Sequence, residues 1–248
     1  HASFEAMWRD FDESELPARQ SGEPLSLSGR IFKPYRTGYA DAAGKIIGHE
    51  PERLEGYYAE CWAKKKFTLY NVVDPHDRRP FAVGWLGVFP NEDAFVVAEW
   101  PDGRYRPFHK MSSCAWQIAD YVRMIRKTEA ALGKPADVRL IDPNFGNAPK
   151  ATTKTTTAQE FADAGNDPDK QGLHFLFPPN SIEDGHLAVK NLLGNVQAGI
   201  RPKLYVMAHC KNHSFAMTHY GYKEHRDESK GLSVTPELMH KDFADLIR

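Results

Sequence analysis

The chain has 248 residues, of which 41% are hydrophobic and 26% are charged, and its formal net charge is −1 at neutral pH. These values are ordinary for a globular domain and exclude global disorder. The near-zero charge excludes a strongly basic protein, so any DNA contact has to come from local patches. No stretch approaches the ~20 apolar residues of a membrane span, and the first residues lack the layout of a signal peptide, which predicts a soluble, intracellular protein.

Residues 1–66 differ in composition from the rest of the chain. They combine polar clusters and several Gly and Pro with short apolar runs, and they end in the basic run Lys64-Lys65-Lys66. This pattern predicts a linker or arm that packs partly onto a neighbour, with the lysines as a solvated charge run. Because the first residue is His1 rather than Met, we expect the chain to be a piece of a longer polypeptide.

Three β-rich runs follow, at residues 67–73, 81–89 and 94–100. They are separated by Asp-Pro-His-Asp and Pro-Asn-Glu-Asp, which are turn-forming sequences. The simplest assembly is an antiparallel three-stranded meander.

The pattern then changes to alternating helices and strands. A helix is predicted over 115–132, where apolar residues recur at helical spacing and Gly133 and Pro135 follow. Later elements are a strand at 138–141, a Lys- and Thr-rich loop at 150–157, a strand at 173–177, a helix over 181–197, a strand at 203–207 and a last helix from about residue 235. This order predicts an α/β fold with one mixed sheet and helices on both faces.

Acidic residues occupy the ends of two predicted strands. Asp74 and Asp142 each close a strand and are each followed by Pro, which cannot continue a hydrogen-bonded ladder. Either Asp-Pro pair alone is compatible with an ordinary turn. Neighbouring strands would bring the two carboxylates together, which is unfavourable unless a cation lies between them. On this reasoning, replacing either acid by Asn should relieve repulsion in the metal-free protein.

A third acidic site lies near the C-terminus, where Asp242 and Asp245 share one helix face. With Asp74 and Asp142 they would provide the hard oxygen ligands that Mg²⁺ or Mn²⁺ prefers. Two such ions ~4 Å apart can activate a water molecule and stabilise the leaving oxygen in phosphodiester cleavage. We therefore expect a metal-dependent nuclease, and we expect neutralisation of Asp242 also to relieve repulsion.

Six short segments, in order, resemble the large terminase subunits of tailed bacteriophages. They are LSLSGRIFK (25–33), VDPH (73–76), AEWP (98–101), IDPNFGN (141–147), PKLYV with CKN (202–212) and HKDFADLIR (240–248). The resemblance implies a ribonuclease H-like nuclease domain, over 67–248, that cuts concatemeric double-stranded viral DNA during genome packaging. It also implies DNA, the terminase ATPase domain, the portal protein and the small terminase subunit as partners, in the cytoplasm of the infected host and with no membrane.

The same resemblance implies the site residues. The metal-binding acids, which would hold two Mg²⁺ or Mn²⁺ ions, fall on Asp74, Asp142 and Asp242, with Asp245 and Glu99 as secondary candidates. Lys241 stands where relatives frequently have Asp, so it would either weaken metal binding or contact the scissile phosphate.

The ATPase of such proteins carries a phosphate-binding loop. Its nearest equivalent here, at residues 38–46, departs from that loop in two ways. The two glycines have one residue too many between them, and Ile46 stands where the loop requires Ser or Thr. We therefore expect no ATPase activity from this chain, and residues 1–66 would join the nuclease to the missing ATPase.

Other clusters allow further interpretations. Lys150 and Lys154, in the loop after Asp142, predict phosphate contacts with DNA, although a flexible linker has the same composition. His209, Cys210, His213 and His219 suggest either a zinc site or ordinary capping and packing residues. Trp85, Trp100 and Trp116 are interpreted as core residues rather than base-stacking ones.

Two other functions compatible with the sequence are another ribonuclease H-like enzyme, of resolvase or transposase type, and a non-catalytic DNA-binding or motor-docking module. The former should prefer branched DNA, and the latter should bind no metal pair.

Overall fold

The computed structural model describes residues 29–40, 43–150, 154–164, 172–179, 181–196, 198–224, 232–236 and 240–248. The strands are β1 (Thr68–Asp74), β2 (Ala82–Val88), β3 (Ala94–Trp100), β4 (Val138–Ile141), β5 (Leu204–Val206), β6 (Tyr222–Glu224) and β7 (Leu232–Pro236). The α-helices are α1 (Gly56–Ala63), α2 (Ile118–Leu132), α3 (Pro143–Gly146), α4 (Thr157–Asp163), α5 (Ile182–Leu193), α6 (Lys211–His219) and α7 (Asp242–Asp245).

The central sheet has five strands in the order β4-β1-β2-β3-β5. Strands β1, β2 and β3 form the antiparallel meander predicted from the sequence. Strand β4 pairs in parallel with β1, and β5 pairs in parallel with β3 at the opposite edge. This mixed sheet confirms the predicted α/β class.

Helices cover both faces of the sheet. Arg139, Asn71 and Trp85 are cross-strand partners and therefore share one face. On that face the Arg139 guanidinium contacts Glu129 of α2 at 2.6 Å. Gly84, next to Trp85 in β2, faces the other side, where His213 of α6 and Leu246 after α7 pack against it. The acids at the ends of β1 and β4 lie on this second face.

The chain before β1 is part of the same core. Ile31, Phe32 and Tyr35 are almost completely buried. The Ile31 amide donates to the Tyr220 carbonyl at 3.0 Å, and the Val206 amide in β5 donates to the His49 carbonyl at 2.9 Å. The core therefore begins before residue 67, while the functional division at residue 66 stays a prediction and residues 1–28 lie outside the described residues.

Two predicted elements are wrong. Residues 173–177 form no strand, since only one bridge joins Leu176 to Leu140 there. Pro178 and Pro179 follow directly, and their nitrogens cannot donate to a ladder. The helix predicted from residue 235 is also wrong, because Leu232–Pro236 pairs with β6 and the last helix begins at Asp242.

Helix limits differ slightly from the predictions. Helix α2 begins at Ile118, because Gln117 and Asp120 form a capping box there. Helix α5 ends at Leu193, because Gly194 has a positive φ of 61°. No helix in the described part of the chain has the length and apolar character needed to cross a bilayer.

Candidate functional site

Parallel pairing of β1 with β4 places Asp74 beside Asp142. Val73 is the register partner of Ile141, and the Asp142 amide donates to the Val73 carbonyl at 3.0 Å. A proline follows each acid and ends its strand. The Asp142 carboxylate also accepts the Asn144 amide at 3.3 Å, which caps α3. The sequence-based expectation that these acids meet at one sheet end is confirmed.

Asp242 reaches the same face of the sheet from α7. The following residue, Phe243, is buried and packs edge-on against the rings of Phe108 and His213, with centroid distances of 5.2 and 4.8 Å. These contacts fix the short helix against the sheet. The Asp242 side chain is consequently buried, at 3% exposure.

Asp74, His76 and Asp242 form a compact group of possible metal ligands, with ligand atoms all within 4.8 Å of one another. His76 Nε2 lies 2.7 Å from Asp242 Oδ1 and 4.0 Å from Asp74 Oδ2. His76 belongs to the VDPH segment but is not one of the site residues predicted from the sequence. The available signal was the spacing, since His76 is only two residues beyond an acid that ends a strand.

Asp74 is held in an electrostatically unfavourable position. Its Oδ2 atom is buried and has no hydrogen-bond partner among the described residues. Burial raises the pKa of Asp74 to about 7; His76 and Lys241 oppose this rise, while Asp242 and Asp142 add to it. A buried, unpartnered carboxylate oxygen that faces a histidine and a second carboxylate fits a divalent cation.

The pKa of Asp242 is shifted in the opposite direction from that of Asp74, because basic side chains already contact Asp242. The Arg79 guanidinium lies 3.2 Å from Asp242 Oδ1, the same oxygen that His76 contacts. Burial by itself would raise the pKa of Asp242, but the hydrogen bond from His76 and the charges of His76, Arg79 and Lys241 outweigh it and lower that pKa.

Asp74 and Asp142 line a pocket of about 210 Å³. Its other charged lining residues are Lys241, Asp245 and Arg248. Lys241 Nζ lies 2.9 Å from Asp245 Oδ2, and Arg248 Nε lies 3.5 Å from Asp245 Oδ1. Burial would lower the pKa of Lys241, but Asp245, Asp74 and Asp242 raise it overall, so its ammonium stays charged. Asp245 is thus paired with cations on its own helix turn.

Glu99, the other secondary candidate, lies apart from this group. Its carboxylate accepts the amides of Gly103 and Asn212 at 3.0 and 2.9 Å, and the amide and Nδ1 of His213 at 3.0 and 2.8 Å. These bonds join the end of β3 to the start of α6, which gives Glu99 a structural role in this arrangement.

A second, larger pocket is lined by Lys150, one of the predicted DNA-binding lysines. It has a volume of about 580 Å³, and its lining includes His76, Phe145 and Lys150. Lys150 Nζ lies 2.5 Å from Glu160 Oε2. Lys154 is exposed and has a positive φ of 61°, and residues 151–153 between the two lysines lie outside the described residues.

The alternative zinc cluster does not assemble in the described part of the chain, where the only group of three close ligands is the one around Asp74. His209 Nε2 bonds to the Val97 carbonyl at 3.0 Å, and His213 bonds to Glu99. Trp85 is fully buried and Trp100 stacks on Trp116, as expected for core residues.

Comparison with protein-family models gives no match, and comparison with curated protein sequences gives none either. Solved structures do match. The P22 large terminase nuclease domain has 15% identity and a TM-score of 0.53, with 88% of this chain and 89% of that chain covered. The large terminase of a thermophilic bacteriophage has 15% identity and TM-scores of 0.54 and 0.55 in two crystal forms.

The share of the thermophilic phage protein that matches is smaller. The alignments cover 96% and 88% of this chain but 50% and 43% of that terminase, so this chain spans about half of its length. At 15% identity the comparisons establish the fold. The chain therefore has the α/β, ribonuclease H-like fold of large terminase nuclease domains.

Proposed function

We propose that this chain is a divalent-metal-dependent endonuclease that cuts concatemeric double-stranded viral DNA during genome packaging. The observation that carries the proposal is the close group of Asp74, His76 and Asp242, with Asp142 beside Asp74 at the end of the neighbouring strand, on a terminase nuclease fold. The unpartnered Asp74 oxygen supports it, because a dication would stabilise the ionised carboxylate against the burial, and the nearby acids, that raise the pKa of this carboxyl.

Asp74, Asp142 and Asp242 would hold two Mg²⁺ or Mn²⁺ ions, and His76 adds a nitrogen within reach of the same site. When bound, such ions activate a water molecule and stabilise the leaving oxygen of a phosphodiester. The chain itself orients the acids through the ends of β1 and β4 and through the packing of Phe243.

Basic residues around the acids would bind the DNA backbone. Lys241 keeps a positive charge beside Asp74, Lys150 lines the larger pocket next to His76, and Lys154 is exposed nearby in sequence. Contacts of this kind position a duplex without reading its sequence. In the packaging machinery the partners would be the terminase ATPase domain, the portal protein and the small terminase subunit, in the cytoplasm of the host bacterium.

The proposal is tested by cleavage of supercoiled plasmid with and without metal. We expect nicking and then linearisation in Mg²⁺ or Mn²⁺, no requirement for ATP, and complete inhibition by EDTA. Asn variants of Asp74, Asp142 and Asp242 should each lose almost all cleavage, because metal occupancy falls. Asp184→Asn, which changes an exposed acid on α5, is the matched control and should cut like the parent.

Other outcomes would contradict parts of the proposal. Cleavage in EDTA would exclude the metal mechanism. A strong preference for four-way junctions over linear duplex would indicate a resolvase, and DNA binding without any Mn²⁺ uptake would indicate a non-catalytic module.

A further inference from the structure

Arg79 lies between the acidic group and solvent. Its Nη2 is 3.2 Å from Asp242 Oδ1, its guanidinium lies over the Phe108 ring at 5.4 Å, and its side chain is 37% exposed. It also lines a small pocket of about 100 Å³ whose wall includes Asp242 and His109. The guanidinium therefore contacts two metal-ligand candidates, since Nη2 also lies 3.3 Å from His76 Nε2, and it remains partly open to solvent.

A divalent cation and Arg79 would compete for Asp242. The oxygen that Arg79 contacts, Oδ1, is also the oxygen nearest His76 and belongs to the group whose ligand atoms lie within 4.8 Å of one another. Like charges separated by about 4 Å repel strongly at a partly buried site. Metal binding at Asp74 and Asp242 should therefore displace the guanidinium from this oxygen.

The displaced guanidinium would remain next to the bound metal. An arginine side chain keeps its charge at any physiological pH and offers a planar set of donors that matches two phosphate oxygens. Lys241 and Arg248 differ, because both lie against Asp245, an acid outside the three-residue ligand group. Among the arginines and lysines of the described residues, Arg79 is thus the one that forms an ion pair with Asp242, the acid that a metal would take.

We propose that Arg79 is a phosphate-binding residue of the cleavage site, and that it occupies Asp242 until a divalent cation replaces it. The ligand would be a DNA backbone phosphate beside the scissile bond. This inference rests on the proposed function, since it requires metal at Asp74 and Asp242.

The first test measures metal binding without DNA. Isothermal titration with Mn²⁺ should show roughly two- to fivefold tighter binding to Arg79→Gln than to the parent, the range expected for removal of a partly exposed ion pair. Arg78→Gln removes the same charge one residue away, at an exposed position, and should leave Mn²⁺ affinity unchanged. Equal Mn²⁺ affinity for Arg79→Gln and the parent would overturn the inference.

The second test measures binding to linear duplex DNA as a function of salt, with Ca²⁺ in place of Mg²⁺. Arg79→Gln should bind more weakly and lower the slope of log K against log salt by about one, as for one lost phosphate contact. Arg79→Lys keeps the charge and should recover part of the affinity. The Arg79→Gln defect should disappear in EDTA, where Arg79 of the parent remains on Asp242.

The outcomes separate this inference from the proposed function. A parent that takes up no Mn²⁺ overturns both. A parent that binds Mn²⁺ and cuts DNA, with an unchanged salt slope for Arg79→Gln in Ca²⁺, overturns only the role of Arg79.

Discussion

Replacing Asp74 by Asn should stabilise the metal-free protein, and the gain should increase with pH. The pKa of the buried Asp74 carboxyl is raised from 3.8 to about 7. A group with a higher pKa in the folded state binds its proton more tightly there, so its ionisation favours unfolding. The parent therefore loses stability as the pH rises from about 4 to about 7, whereas Asn resembles the protonated acid and does not ionise.

The size of the effect follows from the pKa interval. Each pKa unit corresponds to about 1.36 kcal/mol, so the interval from 3.8 to about 7 amounts to the order of 4 kcal/mol above pH 7. At pH 5 only the lower part of the interval has been crossed, and ionisation of Asp74 destabilises the folded parent by less than about 2 kcal/mol. Since about two pKa units remain between pH 5 and the folded pKa, the stabilisation by Asp74→Asn should be about 3 kcal/mol larger at pH 8 than at pH 5.

The assay is urea denaturation in EDTA at several pH values between 5 and 8, followed by tryptophan fluorescence. Comparing parent and variant at each pH cancels the contribution of groups that titrate alike in both. Asp242→Asn provides a control of opposite sign. Its lowered pKa means that the ionised form contributes stability above the unfolded pKa, which is lost as the pH falls through the folded pKa.

At pH 8 Asp242→Asn should therefore be less stable than the parent, which reverses the sequence-based expectation that neutralising any of these acids relieves repulsion. Added Mn²⁺ should stabilise the parent by about 2.7 kcal/mol at a concentration of about 100 times Kd, and either variant by less. An Asp74→Asn stability gain that is the same at pH 5 and pH 8 would refute the reasoning, because Asp74 would then not titrate in that range.

Three further predictions concern the remaining candidate residues. Glu99→Gln should lower the free energy of unfolding by about 1–3 kcal/mol, because one carboxylate oxygen becomes an NH₂ group and the buried donors that it accepted lose their partner. Mn²⁺ titration of the folded variant should nevertheless match the parent. Replacing Lys150 and Lys154 by Ala should weaken DNA binding and reduce its salt slope by about one per lost contact; an unaltered slope would identify this loop as a linker. Asp245→Asn should impair plasmid cleavage less than Asp242→Asn, because Asp245 is already paired with cations, and the reverse ranking would show that the third ligand is misassigned.

The parts of the fold that sequence reasoning predicted correctly depend on local signals. Alternating β-rich runs separated by Asx-Pro turns specify the meander, and Asp-Pro pairs mark the ends of β1 and β4. Because β1 and β4 pair in parallel, Asp74 and Asp142 lie side by side at the same end of the sheet. The neighbours of Asp242 could not be predicted in this way, because His76 and Arg79 lie in a loop far from it in sequence.

The errors have a similar physical origin. The segment at 232–236 becomes a strand because β6 is available to pair with it, and the run at 173–177 reaches only one bridge because two prolines follow. The first outcome depends on where the partner strand lies, and the second on which backbone nitrogens can donate hydrogen bonds. Hydrophobic spacing in the sequence reports neither. The core contribution of Ile31, Phe32 and Tyr35 was missed for the same reason, since their burial depends on elements nearly two hundred residues later.

Burial of the segment before β1 sets a limit on how the chain can be shortened. A protein starting at residue 67 would lack Ile31, Phe32 and Tyr35, and each buried apolar side chain of this size contributes about 1.5–3 kcal/mol. Such a truncation would also expose the ring of Tyr220, which tilts against Phe32 and lines the acidic pocket. One wall of the acidic pocket is thus held by the segment before β1, through the hydrogen bond from Ile31 to Tyr220, so a fragment that starts at residue 67 should lose the shape of the acid site together with stability.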